Sequence, residues 1–379
     1  FALYQHQSKL ELLKGNLEKI GEASSILSFQ TSSSPSQKIE LPSGCQNHKE
    51  GIQKILEIFD QEKNNPGSAD LIVHRVVHGG TKYRHAALLD LEVKQFIRDM
   101  IPLARTHHPA SLACIEEISE HFPEIPQAVV FDTSFHQTLP EYAWRYALPR
   151  KISDQYAIRR YGFHGISHQS VVKQAASFLK TPVNKLNLIT IHLGNGASIS
   201  AIKKGICVDT TMGMTPLEGL VMGTRPGDLD PGILTLLARK GWNQESLETM
   251  LNQDSGMKGL CGTNDFREIL QNKEEGNEEA EMALELYCYR VRKTIGSFIT
   301  VIGPVDALVF TGGVGENVSW VRKRSVRGME WMNIQLDPDM NDHAEAPCAI
   351  HSKYSQTKIL VLPSNEEWEM ASQAAELIL

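Results

Sequence analysis

Residues 187–232 constrain this chain more than any other stretch. They read NLITIHLGNGASISAIKKGICVDTTMGMTPLEGLVMGTRPGDLDPG. An apolar run at 188–191 ends at His192 and the turn Gly194-Asn195-Gly196. A second run at 197–202 turns at Lys203-Lys204-Gly205 and continues through 206–210. Apolar runs separated by glycine turns are hairpin chemistry, so three adjacent strands are predicted here. Glycine lacks a Cβ, which lets backbone amides approach a guest, and several N–H groups turned inward favour an anion. Arg225, inside Gly223-Thr224-Arg225-Pro226-Gly227-Asp228, adds a permanent cation on a loop. A phosphate or carboxylate handler is the economical reading.

With 379 residues the chain is long enough for two domains with separate cores. Its 41% hydrophobic and 22% charged content is that of a soluble globular protein. A net charge of −7 argues against nucleic acid as a partner. No apolar run approaches the length needed to cross a bilayer. No signal peptide is visible, although the sequence begins abruptly at Phe1. Six cysteines are scattered without a CxxC pair, which disfavours zinc and redox motifs and leads us to expect reduced thiols in a cytoplasmic protein.

Short strands are predicted at 1–5, 24–31 and 37–41, with a loop over 32–35. Helical spacing of Ile52, Ile55, Leu56 and Phe59 predicts a helix over 50–63. A buried strand at 71–77, helices at 90–101 and 109–122, and a strand at 127–131 follow. The same order then recurs: three strands, helices over 232–240, 245–253, 264–271 and 278–302, a strand at 307–311, a helix at 318–329, a strand at 358–362 and a closing helix at 365–379. Two such units predict an α/β protein.

Six short motifs carry a more specific signal. They are HRVVHGG at 74–80, FDTSFHQTLP at 131–140, GFHGISH at 162–168, HLGNG at 192–196, MGTRPGDLDPG at 222–232 and TGGVGEN at 311–317. Each is weak alone. In this order over most of the chain they resemble the acetate kinase family. That resemblance implies two duplicated ribonuclease-H-like domains, as in actin and the chaperone ATPases, with a cleft between them. The expected boundaries are 1–133 plus 365–379 for the first, and 134–364 for the second, nucleotide-binding and dimerising domain.

The resemblance also assigns roles to residues with plainer explanations. Arg75, at a strand end, reads by itself as an arginine paired with a surface acid. The family pattern makes Arg75 and Arg225 two guanidiniums that converge on substrate and on the transferring phosphoryl group through forked hydrogen bonds. Asp132 follows a buried strand and could merely cap a turn; Glu366 starts a helix, where the dipole favours an acid. By resemblance both are Mg²⁺ carboxylates, with Mn²⁺ as an alternative metal and Glu367 the weaker candidate. His164 could be a helix cap, and the family pattern makes it a hydrogen-bond donor to the phosphoryl group. His192 is implied to lie near the nucleotide phosphates, while His168 reads as structural, packed on its own helix.

For ATP or ADP the resemblance implies Gly194, Asn195 and Gly196 as a phosphate loop. It implies Asp265, Phe266 and Arg267 as an adenosine segment, which otherwise reads as an N-cap and first helical turn. Gly312, Gly313, Gly315, Glu316 and Asn317 read as a glycine turn between strand and helix, suited to phosphate or ribose. Val77, Phe163 and Pro216 match the apolar residues around the acetate methyl group, with Thr106 in the fourth position. There the sequence reads Thr106-His107-His108-Pro109, where the family usually has Leu-His-Asn-Pro, so acyl-chain preference stays open between acetate and propionate. The family also opens with a strand and an Asn-x-Gly-Ser-Ser-Ser-x-Lys phosphate loop, which would lie just before Phe1 and is absent from this sequence. A protein lacking it is expected to be poorly active.

The activity implied is reversible Mg²⁺-dependent transfer of a phosphoryl group from ATP to acetate, giving acetyl phosphate and ADP, in a cytoplasmic homodimer. Alternatives are a propionate or butyrate kinase with the same machinery, and an actin-like nucleotide switch that uses no acid. The paired arginines favour a kinase over a switch.

Overall fold

The computed structural model of the chain describes residues 1–32, 34–61, 69–105 and 107–378. It divides into two compact units, Phe1–Ser134 with Asn365–Leu379, and Phe135–Ser364. The α/β class and the duplicated ribonuclease-H-like plan both hold. Among the described residues no helix is long and apolar enough to cross a membrane.

The first unit opens with an antiparallel meander of β1 (Ala2–Gln5), β2 (Leu10–Glu18), β3 (Ser25–Thr31) and β4 (Ser34–Leu41), in that spatial order. Four strands stand where three were expected. β2 reads LELLKGNLE, whose lysine, glycine and asparagine obscure its strand character, and only Leu13 is fully buried. Leu13, Leu27 and Phe29 form a core with Ile58 and Phe59 of the helix His48–Gln61. Positions 62–63 of that expected helix and Ser33 of the expected loop lie outside the described residues. Ser34 and Pro35 already belong to β4, an edge strand, where proline costs no ladder bond facing solvent.

A second sheet follows, with β7 (Gln127–Phe131) between β5 (Ile72–Val76), which runs parallel to it, and the two-residue β6 (Ala87–Leu88). Every residue of β7 is buried. Helices Leu91–Asp99 and His108–His121 supply Val93, Ile97, Leu112 and Ile115 to a core with Val76, Val129 and Phe131. The closing helix Glu366–Ala375 packs on β5 and β7. These contacts bring the chain's last helix to the ends of the strands that carry residues 75 and 132.

The second unit is built on a six-stranded sheet. Its strands are β8 (Leu188–Leu193), β9 (Ala197–Lys203), β10 (Ile206–Thr210), β11 (Ala307–Thr311), β12 (Cys348–Ala349) and β13 (Lys358–Val361), in the order β10-β9-β8-β11-β13-β12. The meander β8-β9-β10 is antiparallel, and β11 and β13 add in parallel. β8 and β11 are central, which is why both read as near-continuous apolar runs. Successive side chains alternate between faces, so Leu188, Thr190 and His192 share one face. Pairing sets Thr190 opposite Ser200 and His192 opposite Ser198. A polar stripe therefore crosses the sheet beneath the helix Gly165–Phe178, whose Val171, Val172 and Ala175 pack on Leu188, Ile202 and Val309.

One expectation is corrected here. Residues Gly312–Asn317 are helical, running straight on from β11, with a second helix at Ser319–Val326. Two adjacent glycines lower helix propensity, and packing on β8 and β11 overrides it.

Candidate active site

β5 ends beside β7, and the amide of Asp132 continues the ladder by donating to the Val76 carbonyl at 3.0 Å. This sets Arg75 and Asp132 side by side. The Arg75 fork donates through Nε to Asp132 Oδ1 at 3.0 Å and through Nη2 to Oδ2 at 2.8 Å. Its third nitrogen, Nη1, donates to Glu366 Oε2 at 2.8 Å. The fourth carboxylate oxygen, Glu366 Oε1, is buried without a hydrogen-bond partner among the described residues. Asp132 is 2% exposed, and burial pushes its carboxyl up from the ordinary value while Arg75 opposes the shift. Asp132 in turn holds the Arg75 guanidinium above its usual range, with burial opposing and Glu366 assisting. The neighbouring Glu367 pairs instead with Lys14 at 3.4 Å. Glu366 is delivered by Asn365, which sits in the left-handed region at φ 43°, a conformation that costs a non-glycine residue of order 1 kcal/mol.

In the second unit the turn between β8 and β9 closes through the Gly194 amide on the Gly196 carbonyl at 2.9 Å. A Cβ at position 196 would lie 2.8 Å from Arg225 Nη2 and 3.0 Å from His164 Nε2. The guanidinium, the imidazole and the glycine backbone thus converge on one small volume. Arg225 Nη1 donates to the Pro216 carbonyl at 2.7 Å. No carboxylate among the described residues pairs with Arg225, and burial pulls its guanidinium below the ordinary arginine value. The cost of holding a half-buried, uncompensated cation is what an anionic ligand would relieve. Asn195 locks the arrangement: its carbonyl accepts the Gly223 amide at 2.9 Å, and its Oδ1 accepts from Asn264 Nδ2 at 2.9 Å. A Cβ on Gly223 would come within 2.0 Å of that Oδ1, so any side chain there would have to displace the Asn195 amide.

His164 has φ 56° and stands at the N-cap of the helix Gly165–Phe178, a left-handed non-glycine residue at a predicted site position. Its ring stacks on His192 at 4.3 Å between centroids. Behind the two rings lies a network that sequence reasoning missed. His164 Nδ1 meets Ser198 Oγ at 2.9 Å, His168 Nε2 meets the same oxygen at 2.8 Å, and His168 Nδ1 meets Thr190 Oγ1 at 2.7 Å. His192 Nδ1 meets Ser167 Oγ at 2.8 Å. His168 is fully buried and held well below the ordinary histidine range, first by burial and then by His136 and His192. His168 is therefore pinned to the strands rather than packed on its own helix. Nearby, His136 donates from Nε2 to the Phe163 carbonyl at 2.9 Å, and burial lowers its pKa to about 4.

The remaining predicted residues are distributed as follows. Val77 is half-buried just after β5, and Thr106 lies outside the described residues. Phe163 is 1% exposed, between the His136 bond and His164. Asp265 caps the helix Phe266–Glu274, and its carboxylate is gripped by Arg267 Nη2 at 2.6 Å. Phe266 turns inward against Tyr287 at 5.0 Å. Glu316 folds back on its own helix start, accepting from the Gly312 amide at 2.9 Å and the Ser364 amide at 3.2 Å. Asn317 donates to the Gly313 carbonyl at 2.9 Å. Gly313 has no atom within 4 Å of where a side chain would start, and Gly315 packs on β8 and β11.

A family model described as the Acetokinase family matches residues 1–372. The acetate kinase of Sulfurovum sp. (strain NBC37-1) is 46% identical over 369 residues, 96% of this chain and 92% of that protein. Among solved structures, acetate kinase from Porphyromonas gingivalis is 37% identical with a TM-score of 0.91, covering 100% of this chain and 96% of that one. A propionate kinase from Francisella tularensis subsp. tularensis SCHU S4 has the same identity and TM-score, covering 98% and 94%.

Proposed function

The chain belongs to the acetokinase family, and from that membership we propose that it transfers a phosphoryl group reversibly between ATP and acetate, forming acetyl phosphate and ADP. The observation that carries the reading is Arg225: a guanidinium with no acid partner among the described residues, gathered with His164 around the Gly196 backbone. The acceptor carboxylate is already deprotonated, so the reaction needs no strong base. Catalysis rests on positioning and on neutralising charge that spreads over the equatorial oxygens. Arg225 and His164 donate to that charge. Arg75 binds the acid and the transferring group, with Val77, Thr106, Phe163 and Pro216 assigned to the acyl chain. The Gly194–Asn195–Gly196 turn and His192 hold nucleotide phosphates. The Asp265–Arg267 and Gly312–Asn317 segments are assigned to the adenosine side.

Asp132 and Glu366 are the residues that would hold magnesium. Two carboxylates suit an ion that keeps several waters and takes its other ligands from phosphate, and the buried Glu366 Oε1, which has no partner among the described residues, supports the fit. When bound, the ion neutralises phosphate charge. Arg75 holds the other three carboxylate oxygens through one hydrogen bond each, which orients both carboxylates for the ion.

We infer further that the protein is a homodimer, a reading supported by exposed Ile233, Leu236 and Trp242 on and after the helix Pro231–Arg239. Six unpaired thiols are in keeping with a cytoplasmic enzyme.

The test is hydroxamate trapping of acyl phosphate formed from ATP and acetate, propionate or butyrate. Formation with acetate is expected, abolished by chelator and restored by Mg²⁺ or Mn²⁺. Arg225→Ala is expected to lower kcat by about a hundredfold or more while ADP still binds. Near-normal turnover in that variant removes the arginine from the mechanism. ADP binding with no acyl phosphate from any of the acids favours a nucleotide switch. One extra buried methylene is worth only about 0.8 kcal/mol, so the acids are ranked by kcat/KM side by side.

A further inference from the structure

The buried hydroxyls behind the histidine pair determine where the imidazole protons sit. Thr190 is fully buried, and among the described residues its Oγ1 has one hydrogen-bond partner, His168 Nδ1 at 2.7 Å. A buried hydroxyl that accepts without donating leaves its proton orphaned, at a cost of about 1–3 kcal/mol; one that donates leaves only a spare lone pair. Thr190 therefore donates to His168 Nδ1. His168, fully buried, is neutral and carries a single ring proton, which is then on Nε2 and is donated to Ser198 Oγ at 2.8 Å. Ser198 has one proton, one ring to accept from and one ring left to serve. It donates to His164 Nδ1 at 2.9 Å. His164 in its neutral form then carries its proton on Nε2, the nitrogen beside the Gly196 turn.

The second ring obeys the same accounting. Ser167 is fully buried with His192 Nδ1 as its partner at 2.8 Å, so it donates and leaves the His192 proton on Nε2. That nitrogen lies 3.7 Å from the position of a Cβ on Gly194. Reversing either relay would turn a bare imidazole lone pair toward the anion volume.

We propose that Thr190, His168 and Ser198 form a one-way hydrogen-bond relay, paralleled by Ser167, that holds His164 and His192 as paired neutral Nε2–H donors facing the glycine turn. These four are positioning residues, and what they position is specificity for an anion without a protonated ring. The inference deepens the phosphoryl-transfer reading and rests on it for its purpose, though the tautomers are a property of the protein alone.

Long-range ¹H–¹⁵N correlation spectra of the ring nitrogens, recorded on the whole protein with ¹⁵N-histidine at neutral pH, read the tautomers directly. The expected result is Nε2–H at His164, His192 and His168 with and without ADP. An Nδ1–H tautomer or an imidazolium at His164 overturns the proposal, whatever the activity. Thr190→Val, which keeps the shape and removes the donor, is expected to mix the tautomers of His164 and to lower kcat about tenfold with KM little changed. Thr190→Ser should restore both. A Thr190→Val protein with unchanged spectrum and unchanged kcat overturns the relay. Absent acyl phosphate formation in the unmutated protein, with the expected tautomers present, would instead count against the kinase reading alone and leave the relay standing.

Discussion

Arg75 and Arg225 have the same side chain in opposite states. Arg75 donates to three carboxylate oxygens, whereas Arg225 bonds a carbonyl and no acid among the described residues. Both cations were legible in the sequence as arginines at a strand end and on a glycine loop. Their contrasting neutralisation was not, because Glu366 is 291 positions from Arg75. Gly196 offers the sharpest test at this scale. A methyl group there would press on Arg225 Nη2 and His164 Nε2 without touching the core. Gly196→Ala is expected to leave the circular dichroism spectrum and melting temperature nearly unchanged while kcat falls about tenfold or more. Unchanged kcat would mean that the anion binds elsewhere.

The elements that carry these residues differ in how plainly they were written. β8, β9 and β10 were legible because glycine turns bound apolar runs of strand length. β2 was hidden by its polar residues, and Gly312–Asn317 by its glycines. The polar stripe was written in the alternation of Thr190, His192, Ser198 and Ser200, a signal masked by the apolar residues between them. The loop after β10 shows what holds such pieces in place. Arg160 donates to Glu218 Oε1 at 2.5 Å and to the Thr211 carbonyl at 2.8 Å. Tyr146 donates to Glu218 Oε2 and accepts the Met214 amide at 3.0 Å. This tie fixes the segment containing Pro216, the acceptor for Arg225. Glu218→Gln is expected to destabilise the protein by roughly 1–3 kcal/mol, read from the urea midpoint, because it removes the carboxylate paired with the part-buried Arg160. An unchanged midpoint would show that the tie adds nothing to folding.

At the scale of the whole molecule, buried histidines couple stability to pH. His136 and His74 are both lowered to about 4, and His168 is held well below the ordinary histidine range, in each case chiefly by burial. An unfolded histidine takes its proton near pH 6.5, while these folded rings do not take one until about 4. Between those values the unfolded state binds more protons, so stability rises with pH and falls as the solution is acidified through that window. Each unit of pKa difference is worth about 1.4 kcal/mol. Urea midpoints measured from pH 7 down to pH 4 are expected to fall steadily, and His136→Gln should flatten part of the slope. A flat profile would mean that these rings protonate in the folded state as easily as in the unfolded one. The sequence by itself determined the α/β class, the strand–turn–strand run at 188–203 and the presence of cations at a strand end and on a glycine loop, because periodicity, glycine geometry and side-chain charge are properties of neighbouring residues. Only the tertiary structure decided which arginine is neutralised, which carboxylate oxygen is left bare and which way the hydrogen bonds run between the histidines. Those outcomes depend on pairing groups far apart in the chain, and on burial, which makes a donor without an acceptor costly.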